Sequence, residues 1–210
     1  VALPAGAGGG LAVAWSDKRH GDSEIYFARL DGATGARVGA EVRVTNAPRV
    51  SYSPVMRFNP RDQELGVLWL DDRDGSGSYP NEELYFARAL PDGTRPAGTT
   101  DVRITNDLYR SLWPSFTYDA TGVAIAWANE SDIPDRPHIF FTQRDDSGNP
   151  RGGGGETGLT GADRGRLQAA GSEPGHGWRG ARQTVVPRTP TSAAAAAARR
   201  TAASGPDTTA

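Results

Sequence analysis

The chain has 210 residues, 25 acidic and 23 basic, a net charge of −2, and no cysteine, which excludes disulfides and thiolate metal sites. Its mean hydropathy is −0.54, and no apolar run is long enough for a membrane-spanning helix. Residues 1–150 hold 15 basic and 21 acidic side chains (net −6) and residues 151–210 hold eight and four (net +4); an acidic body, and a basic tail whose one aromatic is Trp178, argue against nucleic acid as a partner.

Taken in chain order, the sequence repeats itself. Leu11-Ala12-Val13-Ala14-Trp15-Ser16-Asp17-Lys18-Arg19-His20-Gly21 returns as Leu65-Gly66-Val67-Leu68-Trp69-Leu70-Asp71-Asp72-Arg73-Asp74-Gly75, and more loosely as Val123-Ala124-Ile125-Ala126-Trp127-Ala128-Asn129-Glu130. The three Trp residues are 54 and 58 positions apart. Each is followed by an aromatic run (Ile25-Tyr26-Phe27, Leu84-Tyr85-Phe86, Ile139-Phe140-Phe141), then by Val42-Arg43-Val44-Thr45-Asn46, Val102-Arg103-Ile104-Thr105-Asn106 or a degraded Gly158-Leu159-Thr160. Alternating apolar residues with β-branched and aromatic enrichment predict strands. A period near 50 residues with four strands per unit predicts β-propeller blades.

The fold expected is therefore all-β: a partial β-propeller of about three four-stranded antiparallel blades over 1–165, followed by a low-complexity, disordered tail over 166–210. The blades span about 1–50, 51–110 and 111–165. Their strands fall at 1–3, 11–17, 24–30 and 41–45; at 54–58, 64–71, 83–90 and 101–105; and at 115–118, 122–129, 138–143 and 156–160. Val1 aligns with Val55, so the chain starts inside a strand and reads as the interior of a longer protein. The tail reads equally as a natural linker or as the product of a reading-frame shift near residue 165.

Spacing locates the variable element. From Trp to the aromatic run is 11, 16 and 13 residues in the three units, whereas the outer half of each unit keeps nearly constant spacing. The variation sits in the loops between the second and third strands, 18–23, 72–82 and 130–137. In a propeller these loops share a face with the connections between blades, and loops on a rigid scaffold carry function. That face is the expected binding site.

The run Trp15 to Tyr26, then Val42-Arg43-Val44-Thr45-Asn46 and Ser51-Tyr52-Ser53-Pro54, resembles the TolB-type propeller repeat, and also the repeats of bacterial secreted sialidase-like propellers. The resemblance covers about 1–165. The second unit fits best, and the third departs, with Asn129-Glu130-Ser131 where the others carry Asp-x-Arg. The resemblance implies an extracellular or periplasmic protein that binds protein or glycan ligands.

Candidate binding residues are Asp17, Arg19, Asp71, Asp72, Arg73, Asp74, Glu130 and Asp132, all in or beside the variable loops. The recurring Asp/Arg pairs also fit a turn staple, with Asp accepting backbone N–H bonds and Arg paired to a neighbouring blade. The Trp residues fit packing between blades. The run Asp71 to Gly77 invites a calcium ion, since hard cations take several carboxylate oxygens, but Arg73 interrupts the acids and no bidentate Glu follows at the right distance. No cofactor is expected beyond that weak candidate.

Three functions remain. The first is a non-catalytic module for protein or carbohydrate ligands. The second is a fragment of a sialidase-like glycosidase, which needs paired carboxylates or a Tyr nucleophile with an acid. The third is a structural surface repeat. The Ser-x-Asp-x-Gly-x-x-Trp boxes of sialidases are missing, and the Arg residues recur in register, so the sequence leans away from an enzyme. Three blades fall short of a ring, and open blade edges are expected to favour self-association.

Overall fold

A computed structural model of the chain describes residues 1–75, 81–130, 137–152 and 155–160. These form three antiparallel sheets in chain order. The first contains β1 (Leu11–Asp17), β2 (Glu24–Leu30) and β3 (Arg37–Arg43). The second is β4 (Ser51–Asn59), β5 (Glu64–Asp71), β6 (Glu83–Ala89) and β7 (Val102–Arg103). The third is β8 (Ser111–Tyr118), β9 (Val123–Asn129), β10 (His138–Arg144) and β11 (Thr157–Gly158). Each sheet is a meander of sequential neighbours, so the all-β, sheet-per-repeat expectation holds. The tail expected over 166–210 lies outside the described residues.

The sheets stack through two apolar layers. One joins Ala12, Ile25 and Phe27 of the first sheet to Met56, Leu65, Val67, Trp69 and Tyr85 of the second. The other joins Leu68, Leu70, Leu84 and Phe86 of the second to Phe116, Val123, Ile125 and Trp127 of the third. Successive side chains of a strand point to opposite faces, so β5 presents Val67 and Trp69 to one neighbour and Leu68 and Leu70 to the other. This explains the unbroken apolar run Leu65 to Leu70, since a strand covered on both faces has no polar alternation. The matching run in β1 is covered on one face, and Leu11 and Val13 stay exposed.

Three expectations need correction. Among the described residues the first sheet has three strands, and residues 1–3, where a strand is expected, contribute an isolated bridge, Ala2 to Leu11. The alignment places Val1 opposite Ala14, as Val55 lies opposite Leu68, yet Val1 and Ala12 exchange hydrogen bonds at 2.8 Å in both directions. This two-residue slip keeps each side chain on its own face. A 3₁₀ turn at Ala5–Ala7 and the glycines Gly8, Gly9 and Gly10, all at positive φ, take up the extra chain.

The outermost strands also end earlier than expected, at Arg43, Arg103 and Gly158. Thr45, Thr105 and Thr160 leave the ladder and accept the N–H of Ile25, Leu84 and Ile139 with their hydroxyls, at 2.8, 2.9 and 2.8 Å. The repeated Thr is a side-chain continuation of the sheet. Finally, β4 and β8 start earlier than expected, at Ser51 and Ser111, and each carries a bulge, between Tyr52 and Val55 and between Leu112 and Ser115. Pro54 and Pro114 lack the N–H that an unbroken ladder needs. The residue before each proline, Ser53 or Trp113, takes a positive φ of 53° or 49°.

Arginines tie neighbouring sheets together. Arg95 donates to the carbonyl of Val44 at 3.0 Å, and Arg144 donates to that of Ile104, the equivalent position one repeat later, at 2.9 Å. Burial lowers the pKa of Arg144.

Candidate binding face

The loops expected to share a face do meet. Ser51 N–H donates to Ser23 O and Ser111 N–H to Glu82 O, at 2.7 and 2.8 Å. Asp72 N–H donates to Val50 O and Glu130 N–H to Arg110 O, at 3.0 and 2.9 Å. Each connection between sheets is therefore laced to the loops that follow β1, β5 or β9.

The repeated Asp/Arg pairs build the same unit twice. Asp71 is buried, and its carboxylate accepts bonds from Trp69 Nε1 (2.8 Å), Ser51 Oγ (2.7 Å), and Arg73 N, Nε and Nη2 (3.0, 2.7 and 2.7 Å). Arg73 lies over the Tyr85 ring at 4.2 Å and pairs with Asp101 at 2.8 Å. Asp17 repeats this with Trp15 and Arg19, and Arg19 reaches Tyr26 and Glu41. Arg19 and Arg73 thus pair inside their own sheet, where the staple reading had placed them against a neighbouring one. Burial pushes the Asp71 carboxyl up, and its hydrogen bonds from Arg73, Trp69 and Ser51 outweigh that and hold it below its usual range. Hydrogen bonds from Arg19 hold Asp17 down at about 2.

The other candidates are engaged as well. Asp72 accepts Arg49 Nε and Nη2 at 2.8 and 2.6 Å and Asn81 N–H at 2.9 Å, fastening the connection from the first sheet. Asp74 accepts the Tyr85 hydroxyl and faces Arg103 at 3.2 Å. Glu130 is half-exposed and lies 3.6 Å from Arg110, which is held mainly by Glu82. Asp132 lies outside the described residues. Among those residues no group of three or more His, Cys, Asp or Glu side chains could hold a metal ion.

A second repeated unit sits deeper. Glu24 and Glu83 are buried, and each accepts a Thr hydroxyl and an Arg: Arg43 at 2.7 Å and Arg103 at 2.9 Å. Burial raises the Glu83 pKa despite these partners. In the third sheet His138 takes the place of the Glu and contacts Thr160 O at 2.9 Å.

The residue that sequence reasoning passed over is Trp113. It occupies the bulge of β8, in the slot that Ser53 fills in β4. Ser53 N–H donates to Ser16 Oγ of the first sheet at 3.0 Å. Trp113 instead stands 72% exposed at the loop end of β8, two residues from the pair Ser111–Asn129 that closes the ladder. Leu108, 84% exposed, and Tyr109 precede it in the same connection. By contrast Trp69 and Trp127 are wholly buried packing residues. A bulge re-aims a side chain, and a bulky residue at positive φ is a strained, uncommon choice. The readable signal was a non-repeated aromatic in a repeated slot.

No protein-family model, curated protein or solved structure matches the chain.

Proposed function

We propose that the stacked sheets form a non-catalytic binding module, a piece of a TolB-type or sialidase-like propeller, that holds a protein or carbohydrate ligand on its loop face. The observation that carries this reading is that one connection and the bulge that follows it expose three large apolar residues, Leu108, Tyr109 and Trp113, in the segment whose Arg110 pairs with Glu82 and Glu130. Exposed apolar clusters rimmed by polar residues mark interaction sites, and Trp, Tyr and Arg dominate binding hot spots. Trp113 would be the anchor, with Tyr109, Arg110 and Glu130 around it. Asp71, a wholly buried carboxylate of the loop face, is taken up by the chain's own donors, which speaks against its use as a glycosidase acid or nucleophile. A glycan ligand is favoured by the open indole face, on which a sugar ring can stack, and a protein ligand by Leu108.

The test is a side-by-side screen of the chain and Trp113→Ala on glycan and peptide arrays. A truncated hot-spot residue costs about 2 kcal/mol or more, so affinity for a genuine ligand should fall at least about thirtyfold with the fold unchanged by circular dichroism. Ligands that bind both proteins equally would refute the site, and hydrolysis of an arrayed glycan would refute the non-catalytic reading.

A further inference from the structure

The third repeat departs from the other two at one buried pair. On the face of β10 that carries Phe140, the next two residues are Thr142 and Arg144, opposite Ile125 and Val123 of β9. In the same register β6 has Ala87 and Ala89, and β2 has Ala28 and Leu30. Thr142 is 1% exposed and Arg144 7%. Their neighbours Phe140, Ile125 and Val123 belong to the apolar layer between the second and third sheets, and Arg144 Nη2 donates across it to Ile104 O at 2.9 Å. Among the described residues, Thr142 Oγ1 and Arg144 Nε are buried polar atoms without a hydrogen-bond partner.

A buried charge needs a counter-charge. The guanidinium stays protonated even though burial lowers its pKa. Arg95, which makes the corresponding contact to Val44 O, pairs with Asp101 at 2.5 Å. Glu156 stands one residue before β11 as Asp101 does before β7, yet it and Asp145 act on Arg144 through space, without a hydrogen bond. The two open donors can share one acceptor. Residues two apart on a strand face are about 6.6 Å apart, and an acceptor sits about 3 Å from each of its donors. The flank beside them is closed. Gly148, in the connection from β10 to β11, lies so near the second sheet that a Cβ would come within 2.8 Å of the Phe86 ring. This sealed apolar setting suits a small ion rather than the charged end of a larger ligand.

We propose that Thr142 and Arg144 form a site for one halide-sized monovalent anion, held between the second and third sheets. Arg144 Nε–H and the Thr142 hydroxyl donate to the ion, and its charge balances the guanidinium. Charge-assisted hydrogen bonds are the strong ones, and an ion that binds the folded chain stabilises it by mass action. The packing of these two sheets then depends on halide concentration. This inference is independent of the ligand face at Trp113.

The test is a thermal melt of the full chain in sodium chloride and in sodium gluconate at matched ionic strength. The native midpoint should climb with chloride relative to gluconate, by a similar step for each tenfold increase. Thr142→Ala gives the third repeat the residue of the other two and removes one donor to the ion. The half-effective chloride concentration should then rise about tenfold. Thr142→Ala combined with Arg144→Leu copies Ala28 and Leu30 of the first repeat and should lose the chloride response. In crystals grown with bromide, one anomalous peak should lie within hydrogen-bonding distance of both Arg144 Nε and Thr142 Oγ1. The proposal fails if the native chain melts alike in both salts, or if Thr142→Ala responds to chloride as the native chain does. Bromide found elsewhere, an adventitious ion only, would also overturn it. So would a Glu156 carboxylate seated on Arg144 Nε in those crystals, because the chain would then supply its own counter-charge.

Discussion

At the residue scale, the same motif letters perform the same physical task in successive repeats. Asp71 gathers five hydrogen bonds in a buried site, and Asp17 repeats four of them in a more open one. Removing one partner of a buried ion pair strands the other charge and costs about 3 kcal/mol. Asp71→Ala should therefore lower stability by about that much in urea denaturation, and Asp17→Ala by clearly less. The pH dependence follows from the direction of the shifts. The carboxyls of Asp71, Asp17 and Asp119 are held below their ordinary range. They contribute stability that is full above the ordinary Asp value of 3.8 and is lost as pH falls below it, toward about 2 for Asp17 and Asp119. Glu83, raised by burial, acts in the opposite sense above 4.5, its ordinary value. The urea midpoint should fall steeply on the acid side, and more shallowly in Asp71→Asn. A midpoint that does not move with acid would contradict the assignment.

At the scale of elements, β5 is shaped by having neighbours on both faces. Gly66 stands where β1 has Ala12, because Tyr118 of the third sheet crosses it. A Cβ there would come within 2.3 Å of the Tyr118 hydroxyl and 2.9 Å of the Phe86 ring. Overpacking of this kind costs about 1–3 kcal/mol, so Gly66→Ala should lower the thermal midpoint by several degrees. An unchanged midpoint would mean that Tyr118 moves aside freely. The central strands were legible in the sequence: β1, β2 and β5 fall where the alternation and the Trp and Tyr landmarks put them. The strand at residues 1–3 was not, because the glycines at 8–10 admit a two-residue slip that no pattern records. Nor were the ends of β3, β7 and β11, where a Thr hydroxyl replaces a backbone group that sequence alone would pair. The loop face was legible from spacing, whereas Trp113 was hidden by its alignment with a serine.

At the scale of the whole molecule, the middle sheet of the stack is covered on both faces by apolar layers. The proposed loop face depends on this stacking, because it needs the connections laced between sheets. Local opening free energies rise with burial and pairing, which makes residue-resolved hydrogen exchange the direct measurement. The slowest exchange is expected in β5 and β6, the strands covered on both faces, with the strands of the outer two sheets exchanging faster. A middle sheet no slower than the outer two would contradict this.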